Sequence, residues 1–274
     1  FKEKVNKDNL YEQAEFYSES KFFPGSKQKA SFLGGVGKYL FEEIKGLEAE
    51  EWARLAASLM DKLEENEIQL AFGNKEAARV AEELGWDGAI YNGQCPKTAN
   101  ECLADYLYLV EANLGVNKAN YFVYRKIEEV VEISNNLVGR VVKINYENTA
   151  KNSNWPGGDY KNYLRVYLPL GVNLAEVSVS DGNKSGSKRV YGENELKIKT
   201  VGGRKEVGFL VMVPVGQRKV VELRYSSGIE LGKGEKFSYL NYIQKQSGFG
   251  DTGIVVLVAM PDDWQPVQVQ PEVS

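Results

Sequence analysis

The sequence predicts an α+β protein in which a helical N-terminal unit is followed by an antiparallel β-sandwich. Apolar residues recur at helical spacing over Asn9–Leu84 and at every second position after about Asn117. These two periods are typical of amphipathic helices and of strands with one buried face. A chain of 274 residues exceeds the commonest size of a single domain, so two packed units are expected. We therefore predict a mainly helical domain with one or two strands at 1–115, a sandwich at 116–266 and an extended tail at 267–274.

The helical unit contains three predicted helices. Two of them carry apolar stripes, one formed by Phe32, Val36, Leu40 and Ile44 and the other by Trp52, Leu55, Leu59 and Leu63. Gly46 and Gly85 fall where helices commonly end, and a third helix is predicted over 75–84. Between the second and third helices, the alternation in 68–72 indicates a strand.

The second half of the chain alternates apolar and polar residues in short segments. A strand pair is predicted over 121–133 and 138–146, with a turn at Ser134-Asn135-Asn136, and turn residues separate the later segments. The later strands are predicted at 163–168, 175–179, 195–199, 207–213, 220–225, 239–244 and 254–260. So many short strands favour an antiparallel sandwich that is immunoglobulin-like in general architecture.

The residue counts exclude several classes of function. The chain contains no histidine, so catalytic mechanisms of the Ser-His-Asp, Cys-His and HExxH types are excluded. We expect no metal site and no cofactor. The net charge is −4, and basic residues such as Arg140, Lys143 and Arg165 alternate with acids along the chain. Nucleic acid is therefore not an expected partner.

The two cysteines, Cys95 and Cys102, flank a short polar loop that begins at Pro96. Two thiolates without histidine make a poor zinc site, so we favour a disulfide between them, with buried free thiols as the alternative. A disulfide that closes so short a loop stabilises a protein by about 2.5 kcal/mol in the chain-entropy model. It also indicates an oxidising compartment.

One catalytic motif has a partial match. Ser26-Lys27-Gln28-Lys29 fits the S-x-x-K pattern, in which a lysine one helical turn later activates the serine of penicillin-binding enzymes. The other elements of that machinery are incomplete, because Lys97-Thr98-Ala99 lacks the final glycine and precedes Ser134-Asn135-Asn136 in the chain. We expect a helix N-terminus with solvent-facing lysines at this position.

Two segments share part of a phosphate-binding or calcium-binding pattern. Gly34-Gly35-Val36-Gly37-Lys38 has Phe32 where a phosphate loop requires its first glycine. Asp181-Gly182-Asn183-Lys184-Ser185 begins like a calcium loop, but its twelfth position is Gly192 instead of a bidentate acid. We expect close helix contact at the first segment and a hairpin turn at the second.

Aromatic residues are the candidate binding residues of this chain. Most of its 16 tyrosines and 4 tryptophans are expected in the core. Trp155, Tyr160 and Tyr163 instead cluster with Pro156-Gly157-Gly158 in a loop before a strand, where packing explains them least. Tyrosine and tryptophan offer rigid contact area with a polar tip, so these three residues are candidates for binding a glycan or a peptide.

Longer stretches of the chain resemble a bacterial family. They are Asn9–Glu12, Phe22–Ser26 with Lys29, Gly85–Gly88, Asn113–Asn120, Tyr160–Pro169 and Tyr242–Gly248. On these stretches nearly all of the chain resembles the C-terminal part of the family called domain of unknown function 4012. One departure is Ser247, which stands where the KQPG-like ending of the family has proline.

The resemblance implies a location and an architecture. Members of this family typically begin with a membrane helix and a further extracytoplasmic region, which implies an extracytoplasmic, membrane-tethered protein of the cell surface. The family has no established reaction, so the resemblance implies no catalytic residue.

These observations predict a non-enzymatic extracytoplasmic surface module for adhesion, ligand binding or envelope assembly. Its expected partners are an envelope glycan or another surface protein, together with the missing N-terminal region of the same protein. No apolar run approaches the roughly 20 residues of a membrane helix, and Phe1-Lys2-Glu3-Lys4 does not begin like a signal peptide. Membrane attachment is therefore expected only through a segment outside this chain.

An accessory role in an enzyme is the alternative function. In that case the chain is a domain of a cell-envelope enzyme that acts on glycan or peptide polymers. Its carboxylates, or Ser26 and Lys29, would then act on the polymer, since glycoside hydrolysis needs only two carboxyl groups.

Overall fold

The structure is a computed structural model that describes residues 4–6, 9–10, 13–14, 27–95, 101–134, 136–182, 186–229, 236–250 and 252–270. The chain divides into two compact units, 1–62 and 63–274, whereas the sequence periodicity placed the change at about residue 115. Within the described ranges, three helices and eleven strands in two packed sheets confirm the α+β class and the sandwich.

Two amphipathic helices, α1 (Lys27–Lys45) and α2 (Ala49–Glu64), make up most of the described part of the first unit. Both predicted apolar stripes lie on them. The turn predicted at Gly46 separates them, and the amide of Glu48 donates a hydrogen bond to the Glu51 carboxylate at 3.0 Å. This acid lies in the first turn of α2, where a negative charge interacts favourably with the helix dipole.

The third predicted helix is also present. Helix α3 (Lys75–Glu83) begins at Asn74, whose side-chain oxygen accepts hydrogen bonds from the amides of Glu76 and Ala77. It stops before Gly85, which has a φ of +71° in the region that favours glycine. These are common start and stop signals of a helix.

The prediction of a strand over 68–72 is wrong, because this segment has no strand conformation in the structure. The amide of Leu70 donates to the carbonyl of Trp86 at 2.8 Å. That isolated bond does not form a ladder. A short apolar run does not distinguish a strand from an irregular segment by period alone.

The strands of the second unit carry the bulk of the fold. They are β1 (Glu101–Asn113), β2 (Val123–Ile133), β3 (Leu137–Asn148), β4 (Tyr160–Pro169), β5 (Asn173–Asp181), β6 (Arg189–Val190), β7 (Lys197–Val201), β8 (Arg204–Val213), β9 (Arg218–Gly228), β10 (Phe237–Gln244) and β11 (Gly253–Ala259).

Two sheets form the sandwich. The five-stranded sheet has the order β10-β1-β4-β8-β7, and the six-stranded sheet has the order β11-β2-β3-β9-β5-β6. Most neighbours are antiparallel as predicted, but β10 pairs with β1 and β11 pairs with β2 in parallel. Side chains alternate with the same period in both kinds of ladder, so the sequence pattern did not distinguish them.

The core lies between the two sheets. Leu107, Leu164 and Phe209 enter it from the five-stranded sheet, and Ile144 and Leu223 enter it from the six-stranded sheet. Strand β1 belongs to this core although it lies in the part of the chain that was expected to be mainly helical. The sandwich therefore begins at Glu101 and not after residue 115.

The end of the chain adds a small satellite to the core. Trp264 packs against a cluster formed by Val131, Ile133 and Val138, and the described tail residues 267–270 have neither helix nor strand conformation. Within the described part of the chain, none of the helices combines the length and the apolar character needed to cross a membrane.

Candidate functional site

An open cleft of about 660 Å³ lies at one edge of the sandwich. Its volume is within the range of roughly 300–1,000 Å³ that is common for ligand sites. Strands β5, β6, β8 and β9 and the turn after β6 supply its walls. The lining residues are Val179, Ser180, Asp181, Ser187, Arg189, Tyr191, Glu195, Leu210, Met212 and Lys219.

The floor of the cleft exists because β7 is shorter than β8. Strand β7 pairs with β8 only as far as Gly208, so the edge of 209–213 that faces away from β4 has no strand neighbour among the described residues. The Tyr191 hydroxyl donates to the Leu210 carbonyl at 2.8 Å, and the Tyr191 ring packs on Phe209 with centroids 4.9 Å apart. A tyrosine therefore covers the free edge, while Leu210 and Met212 face the cleft.

The charges of the cleft are arranged in opposite pairs. Arg189 forms an ion pair with Glu195, and its guanidinium lies 4.8 Å from the centroid of the Tyr191 ring. Lys219 lies 3.8 Å from the Asp181 carboxylate. Since each cation faces one carboxylate, the lining is close to neutral and suits a polar ligand without a strong net charge.

Glu195 is held in its ionised form. The amide of Gly192 donates to its carboxylate at 3.0 Å, and this hydrogen bond, followed by the charge of Arg189, lowers the pKa of Glu195. A general acid needs the opposite shift, toward neutral pH. Glu195 can therefore accept hydrogen bonds from a ligand, but it is poorly suited to protonate one.

The calcium-like segment 181–185 contributes Asp181 to the cleft. In the ranges that the structure describes, no group of three or more cysteine, aspartate or glutamate side chains is placed to hold a metal ion. Residues 183–185 of the calcium-like segment lie outside the described residues, whereas Asp181 ends β5 beside Lys219.

Tyr163 lies next to the cleft on the outer face of the five-stranded sheet. It is directly opposite Leu210 in the β4–β8 ladder, and opposite residues of a ladder share a face. A Cβ placed on Gly208 would come within 2.6 Å of the Tyr163 hydroxyl oxygen. The absence of a side chain at Gly208 therefore lets the tyrosine ring lie along the sheet surface.

The other two predicted aromatic residues lie elsewhere. Trp155 is 41% exposed in the loop before β4, as a binding residue requires. Tyr160 is 1% exposed and points into the sandwich, where burial raises the pKa of its hydroxyl. The structure therefore places Tyr163 next to the cleft without lining it, leaves Trp155 in a loop outside the cleft and places Tyr160 in the core.

Tyr160 belongs to a buried polar cluster that joins the two sheets. Its hydroxyl donates to Glu111 of β1, and Tyr146 of β3 donates to the same carboxylate at 2.9 Å. Arg125 of β2 forms an ion pair with Glu111 at 2.9 Å. All acceptor atoms of this carboxylate face partners, so the cluster stabilises the packing and exposes no reactive group.

A second buried cluster surrounds Arg140 of β3. Its guanidinium forms ion pairs with Asp105 of β1 and Glu129 of β2, and the Asn241 amide of β10 donates to Glu129 at 2.5 Å. Burial, the largest influence, raises the pKa of Asp105 in spite of the neighbouring Arg140. Losing one partner of such a buried set typically costs about 3–5 kcal/mol.

The predicted disulfide is present. Cys95 and Cys102 are bonded, with Cα atoms 5.9 Å apart, and no cysteine is left free. A disulfide-bonded β domain is compatible with an extracytoplasmic location. Of the S-x-x-K motif, Ser26 lies outside the described residues, so that prediction stays untested.

Comparison with known proteins adds little to this site. No protein family model matches the chain, and no curated protein matches it. Among solved structures, a candidate nutrient-binding protein of Legionella pneumophila matches with a TM-score of 0.30 and 10% identity, over 46% of this chain and 44% of its own. A variant of an M1 zinc metallopeptidase from Deinococcus radiodurans matches with a TM-score of 0.22 and 10% identity, over 41% of this chain and 22% of its own. The chain thus spans less than half of either structure, and likenesses of this size assign no activity to it.

Proposed function

We propose that this chain is a non-enzymatic, extracytoplasmic surface module that binds glycan or peptide of the cell envelope in the cleft between β6 and β8. The observation that carries the proposal is the lining of the cleft, in which paired charges and hydroxyl groups surround an aliphatic and aromatic floor. Sugars and peptides present the matching combination of apolar faces and many hydrogen-bonding groups.

The polar side chains of the cleft are suited to hold such a ligand. Arg189 supplies donors in a planar fork, and Glu195 and Asp181 supply acceptors. Leu210, Met212 and the nearby ring of Tyr163 offer the apolar surface against which a sugar ring or a peptide side chain packs. The paired charges favour a neutral polymer over a phosphate or a nucleic acid.

The location rests on two supports. The Cys95–Cys102 disulfide favours an oxidising compartment, and the resemblance to the domain of unknown function 4012 favours a cell-surface protein. That resemblance also supports a membrane tether through a region of the full-length protein outside this chain.

The competing function is an accessory domain of a cell-envelope enzyme. Two carboxylates, Asp181 and Glu195, line the cleft, and two carboxylates are the minimum for glycoside hydrolysis. The lowered pKa of Glu195 disfavours it as the general acid, so we place binding first.

The test is a binding titration with soluble peptidoglycan fragments and short envelope glycans, run beside a turnover assay on the same material. We expect Arg189→Ala to weaken binding about tenfold, equivalent to about 1.4 kcal/mol, because the fork toward the ligand is lost. Arg224→Ala is the matched control, since Arg224 is a half-exposed arginine that pairs with Glu222 at 2.8 Å and does not line the cleft. Equal affinities of the two variants would contradict the site, and turnover abolished by Glu195→Gln would favour the enzyme.

A further inference from the structure

The strand at the opposite edge of the six-stranded sheet has an unusual surface. Strand β11 consists of Gly253-Ile254-Val255-Val256-Leu257-Val258-Ala259, and every residue of it is exposed. Its five large aliphatic side chains are 38–62% exposed. It contains no charged residue and no proline. Natural proteins usually protect such an edge with charges, proline or a bulge.

The exposure extends to both faces of the strand. Val256 and Val258 are paired with Glu129 and Val131 of β2, which are buried, so they point toward the inside of the sandwich. They nevertheless remain exposed, as does Ile254 beside the buried Ile127. The inner face of β11 therefore extends past the core, and an apolar strip is left uncovered.

The outer edge of β11 also presents backbone groups that no strand in the described part of the chain pairs with. Strand β11 pairs with β2 on one side, and no described strand pairs with its other side. A row of free amides and carbonyls next to aliphatic side chains is a template for another strand. The chemistry of that strand must be apolar, uncharged and extended.

We propose that the occupant of this edge is β11 of a second copy, paired antiparallel about a two-fold axis that passes between the two copies of Val256. In this register Val256 faces its own copy, Val255 faces Leu257, Ile254 faces Val258 and Gly253 faces Ala259. Each facing pair is apolar, and β-branched cross-strand pairs stabilise a sheet. The inner faces of both copies then lie on the same side and form one continuous strip.

The charges around the strand favour the same arrangement. The exposed Asp262 and Asp263 follow the end of β11, whereas Lys126, which lies beside Gly253 at its beginning, is paired with Glu128 at 2.7 Å. Antiparallel pairing places the acids of the two copies at opposite ends of the joined strands, whereas a parallel pairing in register would bring these like charges together, which is destabilising. A parallel pairing also cannot form a closed two-fold interface.

The size of the interface sets its strength. Pairing of the two strands buries on the order of 600 Å² in total, which is below the roughly 1,200 Å² of stable complexes. The dimer is therefore reversible, and the monomer stays folded when the dimer separates.

The first experiment is sedimentation of the whole chain from about 1 μM to about 1 mM, a range that covers weak interfaces. We expect a reversible monomer–dimer equilibrium and at least a tenfold higher dissociation constant for Leu257→Lys. Leu257 is the most exposed of the five large aliphatic residues of the strand, at 62%, so lysine there should leave the monomer folded. Ile198→Lys, on the exposed strand β7 at the other edge of the sandwich, is the control and should dimerise as the unaltered chain does.

The second experiment tests the register by oxidation of single-cysteine variants with the native disulfide intact. Val256→Cys should cross-link to itself, because directly opposite residues lie within disulfide range. Ile254→Cys should not, since two such residues are about 14 Å apart along the strands in this register, but it should cross-link when mixed with Val258→Cys. A chain that remains monomeric throughout, a Leu257→Lys variant that dimerises normally, or self-linking of Ile254→Cys in place of Val256→Cys would each overturn the proposal.

Discussion

Asp105 shows what a single buried acid does to this fold. It lies between the sheets with Arg140 and Glu129, and burial raises its pKa above the ordinary value of 3.8. In the native state it therefore binds a proton more readily than in the unfolded chain. Over the window from pH 3.8 up to the raised native pKa, the contribution of Asp105 to the free energy of unfolding falls as the pH rises.

Asp105→Asn removes this titration, which gives the first prediction at the residue scale. We expect the stability of the unaltered chain, relative to this variant, to decline as the pH rises from about 4 toward 7, by about 1.4 kcal/mol for each unit of pKa shift. Urea unfolding at several pH values measures the difference, with Asp262→Asn as an exposed control. If the unaltered chain instead became more stable relative to Asp105→Asn as the pH rises, the charge of Arg140 would outweigh burial in setting the pKa of Asp105.

The contact between Gly208 of β8 and Tyr163 of β4 yields a prediction at the scale of elements. Glycine inside a strand normally costs about 0.5–1 kcal/mol relative to alanine, but a Cβ here meets the Tyr163 hydroxyl at 2.6 Å. We therefore expect Gly208→Ala to be neutral or destabilising in the unaltered chain and stabilising in the Tyr163→Ala background. A double-mutant cycle of unfolding free energies measures this coupling. Equal effects of Gly208→Ala in the two backgrounds would show that the Tyr163 ring does not contact position 208.

The same strands show how much of the fold was predictable from sequence. The three helices, and the strands from β2 onward apart from β6, follow from apolar period and turn residues. Strand β1 was missed because its inward positions include Asp105 and Glu111, two acids that interrupt the apolar pattern. Their partners, Arg140 and Arg125, lie far along the chain. Only the fold reveals that these acids are paired and buried.

The candidate site was less predictable than the fold. Asp181 stood out only as the start of a calcium-like segment that was expected to form a turn, and Tyr163 only as part of an aromatic cluster with the buried Tyr160. The cleft takes its lining from 179 to 219, and its floor depends on the difference in length between β7 and β8. A sequence pattern carries no signal for such a difference. The exposure of β11 was not predictable either, because an uncharged apolar run is equally typical of a buried strand.

At the scale of the sandwich, the two proposed surfaces lie at opposite edges of the sheets. Strands β10 and β11 end the sheets on one side, and β7 and β6 end them on the other. Pairing through β11 therefore leaves both clefts accessible, at the far ends of a joined sheet. A dimer of this kind presents two binding sites to one polymer, and the second contact gains from the effective concentration that the first creates.

Leu257→Lys should therefore separate binding to a fragment from retention on a polymer. The variant keeps the cleft, so we expect unchanged affinity for a soluble peptidoglycan fragment, but retention on intact peptidoglycan at least tenfold lower, because each monomer then binds with a single contact. Titration with the fragment and co-sedimentation with the polymer measure the two quantities, at a protein concentration where the unaltered chain is dimeric. Arg189→Ala, which alters the cleft and leaves β11 intact, should weaken both. If Leu257→Lys was retained on the polymer as well as the unaltered chain, the two edges would act independently. Equal loss on fragment and polymer would instead mean that β11 contacts the ligand itself.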